Sequence, residues 1–279
     1  MRNPIVFSLI VLVAGGVVSG LSSGIPAKGE GLPSRYNSLV WADEFAYKGL
    51  PDSSRWGYDL GDGCPNLCGW GNAELQYYTK DAANARVEKG KLIIECHRQA
   101  RSGRDYTSAR LVSRNKGDWR YGRIEVRAKL PQGRGTWPAI WMLPTASPYG
   151  GWPNCGEIDI MEHVGYAADS LFATVHTGKY NHISGTQKGA RVKWPEPLEN
   201  VFRVYSIEWD TEKIVFLADG KPYFQYEREP GAGPESWPFD QKFHLILNLA
   251  VGGHWAGKYG VDETIWPQRM EIDYVRVYQ

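Results

Sequence analysis

The stretch Arg123-Ile124-Glu125-Val126-Arg127-Ala128-Lys129-Leu130 decides the fold, because apolar and charged residues alternate along all of it. Side chains of a β-strand point to opposite faces in turn, so this pattern predicts a strand with one buried and one solvated face. A hairpin is predicted where residues 213–218 and 221–226 flank Asp219-Gly220. This dipeptide is typical of tight turns between antiparallel strands.

Short apolar segments separated by glycine and proline predict further strands. They cover residues 91–97, 171–176, 202–209, 243–250 and 270–278. No segment keeps a helical period for three turns. The expected fold is therefore all-β, a sandwich of two sheets.

The charge balance favours a neutral ligand. The chain has 279 residues, 32 of them basic and 31 acidic, with a formal net charge of +1. A protein that binds nucleic acid usually shows a basic excess or stripe, and none is visible here. We therefore predict no nucleic-acid partner.

The N-terminus has the features of a secretory signal. Arg2 precedes a mostly apolar segment, residues 5–18, that is shorter than the roughly 20 residues needed to span a bilayer. We predict a signal peptide over 1–20, a flexible segment over 21–34 and a single β-sandwich domain over 35–279. The protein is expected to be secreted (extracellular or periplasmic), monomeric and free of membrane after signal removal. An N-terminal membrane anchor is the alternative.

Three acids lie in Gly156-Glu157-Ile158-Asp159-Ile160-Met161-Glu162-His163, among apolar residues where a folding chain ordinarily avoids charge. Burial of an unpaired carboxylate is costly, so this cluster indicates a site. Glu157 and Asp159 share one face of a strand, whereas Glu162 falls on the opposite face of a regular strand. A β-bulge near Ile160-Met161 would bring all three acids to one face.

Two convergent acids about 5–5.5 Å apart suit a retaining glycosidase, in which one attacks the sugar and the other protonates the leaving oxygen. The middle acid would orient the nucleophile and help to separate the pKa values of the other two. A solvated strand face and a metal site made of acids are the alternatives. Spacing alone does not decide between them.

Four cysteines are present. Cys64 and Cys68 flank a Pro/Asn turn and favour a small loop disulfide in an oxidising compartment. A four-cysteine zinc site is the competing interpretation, which the strand-like position of Cys96 and the position of Cys155 beside the acids weaken. The states of Cys96 and Cys155 stay open.

Aromatic residues make up 13% of the chain, with 12 Trp and 16 Tyr. Indole faces pack well against the flat C–H faces of pyranose rings. Trp137, Trp141 and Trp255 lie close to glycine or proline, and we predict that they contact sugar. Trp209 lies inside an alternating strand and is predicted to be in the core, which is the usual place for any single tryptophan.

The segments 137–144 (WPAIWMLP) and 156–163 (GEIDIMEH) closely resemble glycoside hydrolase family sixteen, and in particular the bacterial laminarinases. The likeness extends from about residue 39 to residue 279. Supporting segments are 71–79 (GNAELQYYT), 106–110 (YTSAR), 174–176 (TVH), 247–253 (LNLAVGG) and 272–278 (IDYVRVY).

This resemblance implies a β-jelly-roll with a substrate cleft on its concave face, and a double-displacement mechanism that retains anomeric configuration. Matched by motif, Glu157 would be the nucleophile, Asp159 its assisting acid and Glu162 the acid/base. The longer spacing between Asp159 and Glu162 matches laminarinases, whereas lichenase-type relatives have Glu-x-Asp-x-Glu.

The resemblance also implies the substrate contacts. Trp137, Trp141 and Trp255 match positions that stack on or border the glucan, Asn72 and Arg110 match polar contacts on the glycone side, and His176 would hydrogen-bond beside the reacting sugar. A satisfied core histidine is the alternative for His176, and an exposed ion pair is the alternative for Arg110. Glu74 and Gln76 share a face with Asn72 in an extended segment, but structural hydrogen bonds explain them equally well.

Many relatives carry a structural calcium ion on the convex side, and its ligands would match Glu44, Gly90 and Asp273. An ordinary charged turn explains Glu44 equally well. No cofactor is expected for catalysis.

The implied function is hydrolysis of β-1,3 linkages in laminarin-type β-glucan by a secreted endo-enzyme. Mixed-linkage β-1,3-1,4-glucan ranks second, and sulfated galactans rank well below. A transglycosylase of the same family and a non-catalytic glucan-binding lectin are the rival functions, although a lectin has no need to gather three like charges.

Overall fold

The computed structural model describes residues 34–279. They belong to one compact unit, Leu32–Gln279. The predicted signal peptide and nearly all of the predicted flexible segment lie outside the described residues. Within 34–279, no helix has the length and apolar character needed to cross a bilayer.

The described part of the chain is built almost entirely from strands. In chain order they are β1 (Leu39–Asp43), β2 (Gly57–Tyr58), β3 (Gln76–Tyr78), β4 (Ala85–Glu88), β5 (Lys91–Cys96), β6 (Tyr106–Ser108), β7 (Arg110–Val112), β8 (Asp118–Trp119), β9 (Gly122–Lys129), β10 (Thr136–Pro144), β11 (Glu157–Glu162), β12 (Ser170–His176), β13 (Lys188–Lys193), β14 (Phe202–Trp209), β15 (Lys213–Ala218), β16 (Lys221–Glu227), β17 (Phe243–Val251) and β18 (Gln268–Tyr278). Within residues 34–279, helical structure is limited to a 3-10 turn, Cys68–Gly71, and α1 (Gly253–Ala256).

Two sheets of eight strands make up most of the described part of the chain. The outer sheet has the order β16-β15-β14-β9-β18-β5-β4, and β1 also pairs with β18. The cleft sheet has the order β13-β12-β11-β10-β17-β7-β2, and β8 also pairs with β17. The strand pairs within both sheets are antiparallel, whereas the short pair β3 and β6 is parallel. The predicted all-β sandwich of two antiparallel sheets is confirmed.

Strand β9 shows why the alternating pattern specifies this fold. Ile124, Val126 and Ala128 are fully buried between the sheets, while Arg123 and Lys129 lie on the opposite, solvated face. Each side chain therefore lies on the face that its polarity favours.

The predicted hairpin is also confirmed, because β15 and β16 pair across Asp219-Gly220. Both turn residues have positive φ, 49° for Asp219 and 73° for Gly220. A two-residue turn of this kind matches the right-handed twist of the flanking strands.

The other predicted strands are present within one or two residues of their expected ends. The longest buried one, β17, is buried along its whole length and pairs with β10 from Thr136↔Val251 to Pro144↔Phe243. Trp209 is fully buried, as predicted. The strands that the sequence analysis did not predict include β10, which pairs with the acid-bearing strand β11, and β13, a mostly exposed edge strand with no continuous apolar side.

Cys64 and Cys68 form the predicted disulfide. Cys96 and Cys155 are buried free thiols. A four-cysteine zinc site is therefore excluded. Burial raises the pKa of the Cys96 thiol well above its ordinary value, so that side chain behaves as a small apolar group.

Candidate active site

A cleft of about 580 Å³ lies on the face of the cleft sheet that points away from the core. Its lining includes all three acids predicted to be catalytic and all six residues predicted to contact substrate. These nine residues are Glu157, Asp159, Glu162, Trp137, Trp141, His176, Trp255, Asn72 and Arg110.

A β-bulge in β11 brings the three acids to this face. Along β10, Trp141 pairs with Asp159 but the preceding Ile140 pairs with Met161, so Ile160 is an extra residue. The register against β12 shifts at the same place. Ile160 and Met161 are consequently both buried in the core, and the parity of the strand changes before Glu162. The predicted bulge is confirmed.

Two indole N–H groups donate hydrogen bonds to Glu157 and Glu162, the first and last of the three acids. Trp152 Nε1 donates to Glu157 Oε2 at 2.8 Å, and Trp137 Nε1 donates to Glu162 Oε1 at 3.0 Å. Donors of this kind favour the ionised carboxylate and restrict its rotation. Both tryptophans precede β11 in the chain and are half-buried.

The three acids differ in how strongly they hold a proton. Burial raises the pKa of Glu162 to about 8, and the negative charge of Glu157 acts in the same direction. Burial also raises the pKa of Asp159 well above its ordinary value, with Glu157 and Glu162 adding to the effect. For Glu157 burial raises the pKa, while hydrogen bonds from Asp159 and Trp152 oppose the shift. As the pH rises, Glu157 is thus the first of the three acids to lose its proton.

His176 lies on β12 directly opposite Glu157. Burial, helped by the neighbouring His182, lowers the pKa of His176 to about 4, so its imidazole is neutral at pH 7. It is 6% exposed, lines the cleft, and its Nδ1 has no hydrogen-bond partner. It is not the satisfied core histidine of the alternative interpretation.

An aromatic wall borders the acid/base side of the cleft. The rings of Trp137 and Trp255 meet edge to face with centroids 5.2 Å apart, and Phe172 meets Trp255 in the same way at 4.9 Å. All three rings line the cleft. Their faces have the size and shape needed to contact pyranose rings.

Arg110 on β7 lies between two indole rings, and β10 and β17 separate its strand from β11. Its guanidinium is 4.4 Å from the centroid of Trp70 and 4.7 Å from that of Trp141. It also forms an ion pair with Asp59 at 3.0 Å and is only 8% exposed. Arg110 is therefore a buried ion-pair partner inside the cleft, which differs from the exposed ion pair considered from the sequence.

Comparison with known proteins identifies the family. The model for glycosyl hydrolases family 16 matches residues 69–276. The chain belongs to this family. It is therefore a glycoside hydrolase, and the family's jelly-roll architecture describes its two sheets.

Two relatives illustrate how close the match is. The chain is 53% identical over 248 residues to a β-glucanase of Rhodothermus marinus, covering 86% of this chain and 85% of the relative. Its fold is similar to that of the laminarinase from Rhodothermus marinus, with a TM-score of 0.83, 53% identity and coverage of 87% and 97%.

A third match carries a bound oligosaccharide. It is a mutant of SCLam, a non-specific endo-β-1,3(4)-glucanase from family 16, co-crystallized with 1,3-β-D-cellotriosyl-glucose. The TM-score is 0.83 and the identity 43%, covering 90% of this chain and 98% of the other. This family 16 enzyme of similar fold thus binds a glucan oligosaccharide.

Several residues of the cleft were not predicted. Glu74, set aside in the sequence analysis, lines the cleft and is 6% exposed, and it accepts hydrogen bonds from Gln76 at 2.6 Å and from Asn72 at 3.2 Å. Asn248 accepts from Trp141 at 2.7 Å. The remaining unpredicted lining residues include Trp70, Tyr78, Phe172, Thr174, His182, Gln187 and His254.

A usable signal existed for two of these side chains. Trp70 adjoins glycine on both sides, as other tryptophans at the cleft edge adjoin glycine or proline, and Glu74 shares a strand face with Asn72. Asn248 lies in a fully buried strand, where the local pattern does not distinguish a cleft residue from a core residue.

The residues predicted to bind calcium lie on neighbouring parts of the outer sheet. Glu44 follows β1, which pairs with β18 at Asp43↔Val275, and Gly90 lies in the turn between β4 and β5. Arg276 forms two hydrogen bonds with Glu44, at 2.7 and 2.9 Å, and Arg127 pairs with Asp273 at 2.5 Å. The backbone arrangement fits a shared site, but a calcium ion would compete with these arginines for the carboxylates. Calcium therefore stays a prediction.

Proposed function

We propose that this family 16 hydrolase is a secreted endo-β-1,3-glucanase that cleaves laminarin-type β-glucan with retention of anomeric configuration. The observation that carries the proposal is the bulge in β11, which places Glu157, Asp159 and Glu162 on one cleft face. Their different proton affinities suit the separate roles of nucleophile and acid.

In the first step, the ionised Glu157 attacks the anomeric carbon and the glycosidic bond breaks. Glu162, which holds a proton at neutral pH, transfers that proton to the leaving oxygen. Protonated Asp159 donates to Glu157 and orients it. The product of this step is a glycosyl ester of Glu157 and a shortened glucan chain.

In the second step, water replaces the leaving chain. Glu162, now ionised, accepts a proton from this water, whose oxygen attacks the anomeric carbon and releases Glu157 as a carboxylate. Glu162 is again protonated at the end. Two inversions at one carbon give net retention.

The lining of the cleft supports a neutral glucan over an anionic one. Among the described residues that line it, Arg110 is the single Lys or Arg, and Asp59 already neutralises its charge. Sulfate groups would call for unpaired cationic donors. The aromatic wall of Trp137, Trp255 and Phe172 instead offers apolar contact to sugar rings.

The relatives support β-1,3-glucan as the first substrate and mixed-linkage glucan as the second. One similar structure is named a laminarinase, and the other is described as a non-specific endo-β-1,3(4)-glucanase. We rank laminarin first, with β-1,3-1,4-glucan as a side activity.

Secretion is proposed on two grounds. Residues 1–20 have the pattern of a signal peptide. The Cys64–Cys68 disulfide suits an oxidising compartment, where such bonds persist.

The test is incubation with laminarin, lichenan and curdlan, with measurement of reducing ends, product lengths and the anomer first formed by ¹H NMR. We expect rapid loss of long chains on laminarin and a β-anomer as the initial product. Binding without new reducing ends would favour a lectin, and longer oligomers without net hydrolysis would favour a transglycosylase. An α-anomer would contradict the assigned mechanism.

A further inference from the structure

Glu157, Asp159 and His176 present two carboxylate oxygens and one imidazole nitrogen within 4.8 Å of one another. His176 Nε2 lies 3.5 Å from Asp159 Oδ2 and 3.8 Å from Glu157 Oε1. Among the described residues, this is the single group of three or more His, Cys, Asp or Glu side chains that converges in this way.

These atoms are buried but incompletely satisfied. Asp159 is 3% exposed and His176 is 6% exposed. Asp159 Oδ2, the atom that faces His176 Nε2, has no hydrogen-bond partner. An unpartnered buried polar atom is costly, so its persistence in a cleft indicates that a ligand completes its contacts.

The spacing fits a small divalent cation. Zinc binds imidazole nitrogen and carboxylate oxygen at about 2.0–2.2 Å, and tetrahedral angles then place ligand atoms about 3.4 Å apart. The distances of 3.5 and 3.8 Å are close to that value. A mixed set of one nitrogen and two oxygens suits zinc better than calcium or magnesium, which prefer oxygen alone.

Glu157 is already oriented for such a site. Its Oε2 accepts the hydrogen bond from Trp152, while its Oε1 faces His176. A cation could therefore bind Oε1 without breaking the bond to the indole.

We propose that Glu157, Asp159 and His176 form a binding site for Zn²⁺ within the catalytic cleft, and that the bound ion blocks hydrolysis. The ion replaces the proton that Asp159 otherwise holds, which passes to the buffer, and water takes the fourth position of the tetrahedron. The ion binds the oxygen of Glu157 that attacks the sugar. It also binds Asp159 and His176, which sugar hydroxyls would otherwise contact. Binding of the ion depends on this geometry alone, whereas inhibition rests on the proposed function.

The first test is calorimetric titration of ZnCl₂ into the full-length protein in a buffer that does not chelate metal. We expect one equivalent to bind, and both Asp159→Asn and His176→Gln to weaken it by at least about tenfold, as loss of a ligand does. Co²⁺ absorption in the visible range provides a second readout, and its spectrum should disappear in His176→Gln. Thermal melting checks that the variants are folded.

The matched control is His97→Gln. His97 Nε2 lies 3.2 Å from Glu95 Oε1, so it is a second pair of imidazole and carboxylate, placed outside the cleft. We expect the control to bind Zn²⁺ as the wild type does. Unchanged affinity in His176→Gln, or an equal loss in His97→Gln, would overturn the site.

The second test asks whether Zn²⁺ and the oligosaccharide compete for the cleft. Glu162→Gln keeps all three proposed ligands but lacks the acid, so laminarihexaose binds without being cleaved; tryptophan fluorescence reports its saturation. We expect saturating laminarihexaose to weaken Zn²⁺ binding at least about tenfold. An unchanged affinity for Zn²⁺ at saturating laminarihexaose would overturn the placement of the ion in the cleft. A protein that binds zinc as expected but does not hydrolyse glucan would contradict the proposed function and leave the metal site intact.

Discussion

The outer sheet and the cleft sheet both carry buried acids, but they neutralise them in different ways. On the outer face, Lys129 lies 2.6 Å from Glu271, and Arg86 lies 2.7 Å from Glu95. In the cleft, no Lys or Arg of the described chain forms an ion pair with the three acids, and protons neutralise Asp159 and Glu162 instead. A cation stabilises a carboxylate permanently, whereas a proton can be given to a substrate. Acids paired with cations thus support the fold, whereas the cleft acids without a cationic partner perform chemistry.

Replacement of the nucleophile gives the largest expected effect. We expect Glu157→Ser to lower kcat at least about 10³-fold, because no covalent intermediate can form. Folding and glucan binding should persist, and the measurement is reducing-end release together with oligosaccharide titration. The control is Glu125→Gln, an outer-face acid that pairs with Arg123, which should keep turnover within about twofold. Near-normal turnover in Glu157→Ser would contradict the nucleophile assignment.

Replacement of the acid/base comes next. Glu162→Gln should lower kcat about 10²–10⁴-fold on glucan, because the leaving oxygen is no longer protonated. The glycosylation step should be nearly normal on aryl glycosides whose leaving groups need no proton, as a pre-steady-state burst would show. An equal loss on both substrate types would argue against the role of Glu162.

The same variant tests stability against pH. The pKa of Glu162 is raised from its ordinary 4.5 to about 8 in the folded state, so the folded protein binds more protons than the unfolded chain within that window. The contribution of Glu162 to the stability of the wild type therefore becomes less favourable as pH rises from about 4.5 to 8. Glu162→Gln lacks this penalty, and denaturant titrations should show a stability gain at pH 8 that vanishes near pH 4.

Removal of the indole donors should shift the pH profile of kcat/KM by smaller amounts. Trp137→Phe removes a donor that favours ionised Glu162, so the pKa of Glu162 rises and the alkaline limb moves to higher pH. Trp152→Phe removes the donor to Glu157 and should move the acidic limb to higher pH instead. Movement of the same limb in both variants would show that the two acids are not titrated separately.

Outer-face changes should give the smallest effects, and these should appear in stability alone. Lys129→Met removes one of two cations near Glu271, which keeps Arg269 at 3.1 Å. We expect a loss of about 1 kcal/mol in the free energy of unfolding, measured with urea, and unchanged turnover. A large loss of turnover would mean that the two faces are coupled.

Calcium gives a second stability test on the same sheet. If Glu44, Gly90 and Asp273 bind the ion, 1 mM CaCl₂ should raise the melting temperature of protein treated with EDTA, because the ion binds only the folded state. Arg276 and Arg127 already pair with the carboxylates, so the gain measures how well calcium competes with them. An unchanged melting temperature would contradict the calcium prediction.

Local pattern was sufficient for the features whose cause lies within a few residues. The alternation in β9, the Asp219-Gly220 turn, the Cys64–Cys68 pair and the bulge required by Glu162 all depend on neighbours in the chain. Each of these features depends on residues a few positions apart, and the regular geometry of a strand or turn fixes where such residues lie. Resemblance to the family then supplied roles for Trp255, Asn72 and Arg110.

Contacts between residues far apart in the chain could not be predicted from local pattern. Trp141 and Asn248 are 107 residues apart, yet share a hydrogen bond, and Gln76 accepts from the backbone N–H of Val251 across 175 residues. The arginine partners of Glu44 and Asp273 likewise come from other parts of the chain. A single sequence does not encode these pairs in any local period, since they form when the strand order of the sheets brings them together.

The sequence by itself determined that this protein is a two-sheet sandwich with three acids on one bulged strand, because strand periodicity and charge in an apolar segment are local properties. Only the tertiary structure decided which acids keep their protons, which groups in the cleft stay unpartnered and which carboxylates are paired with arginine. Those properties depend on burial and on the distances between chemical groups, which arise when the two sheets pack together.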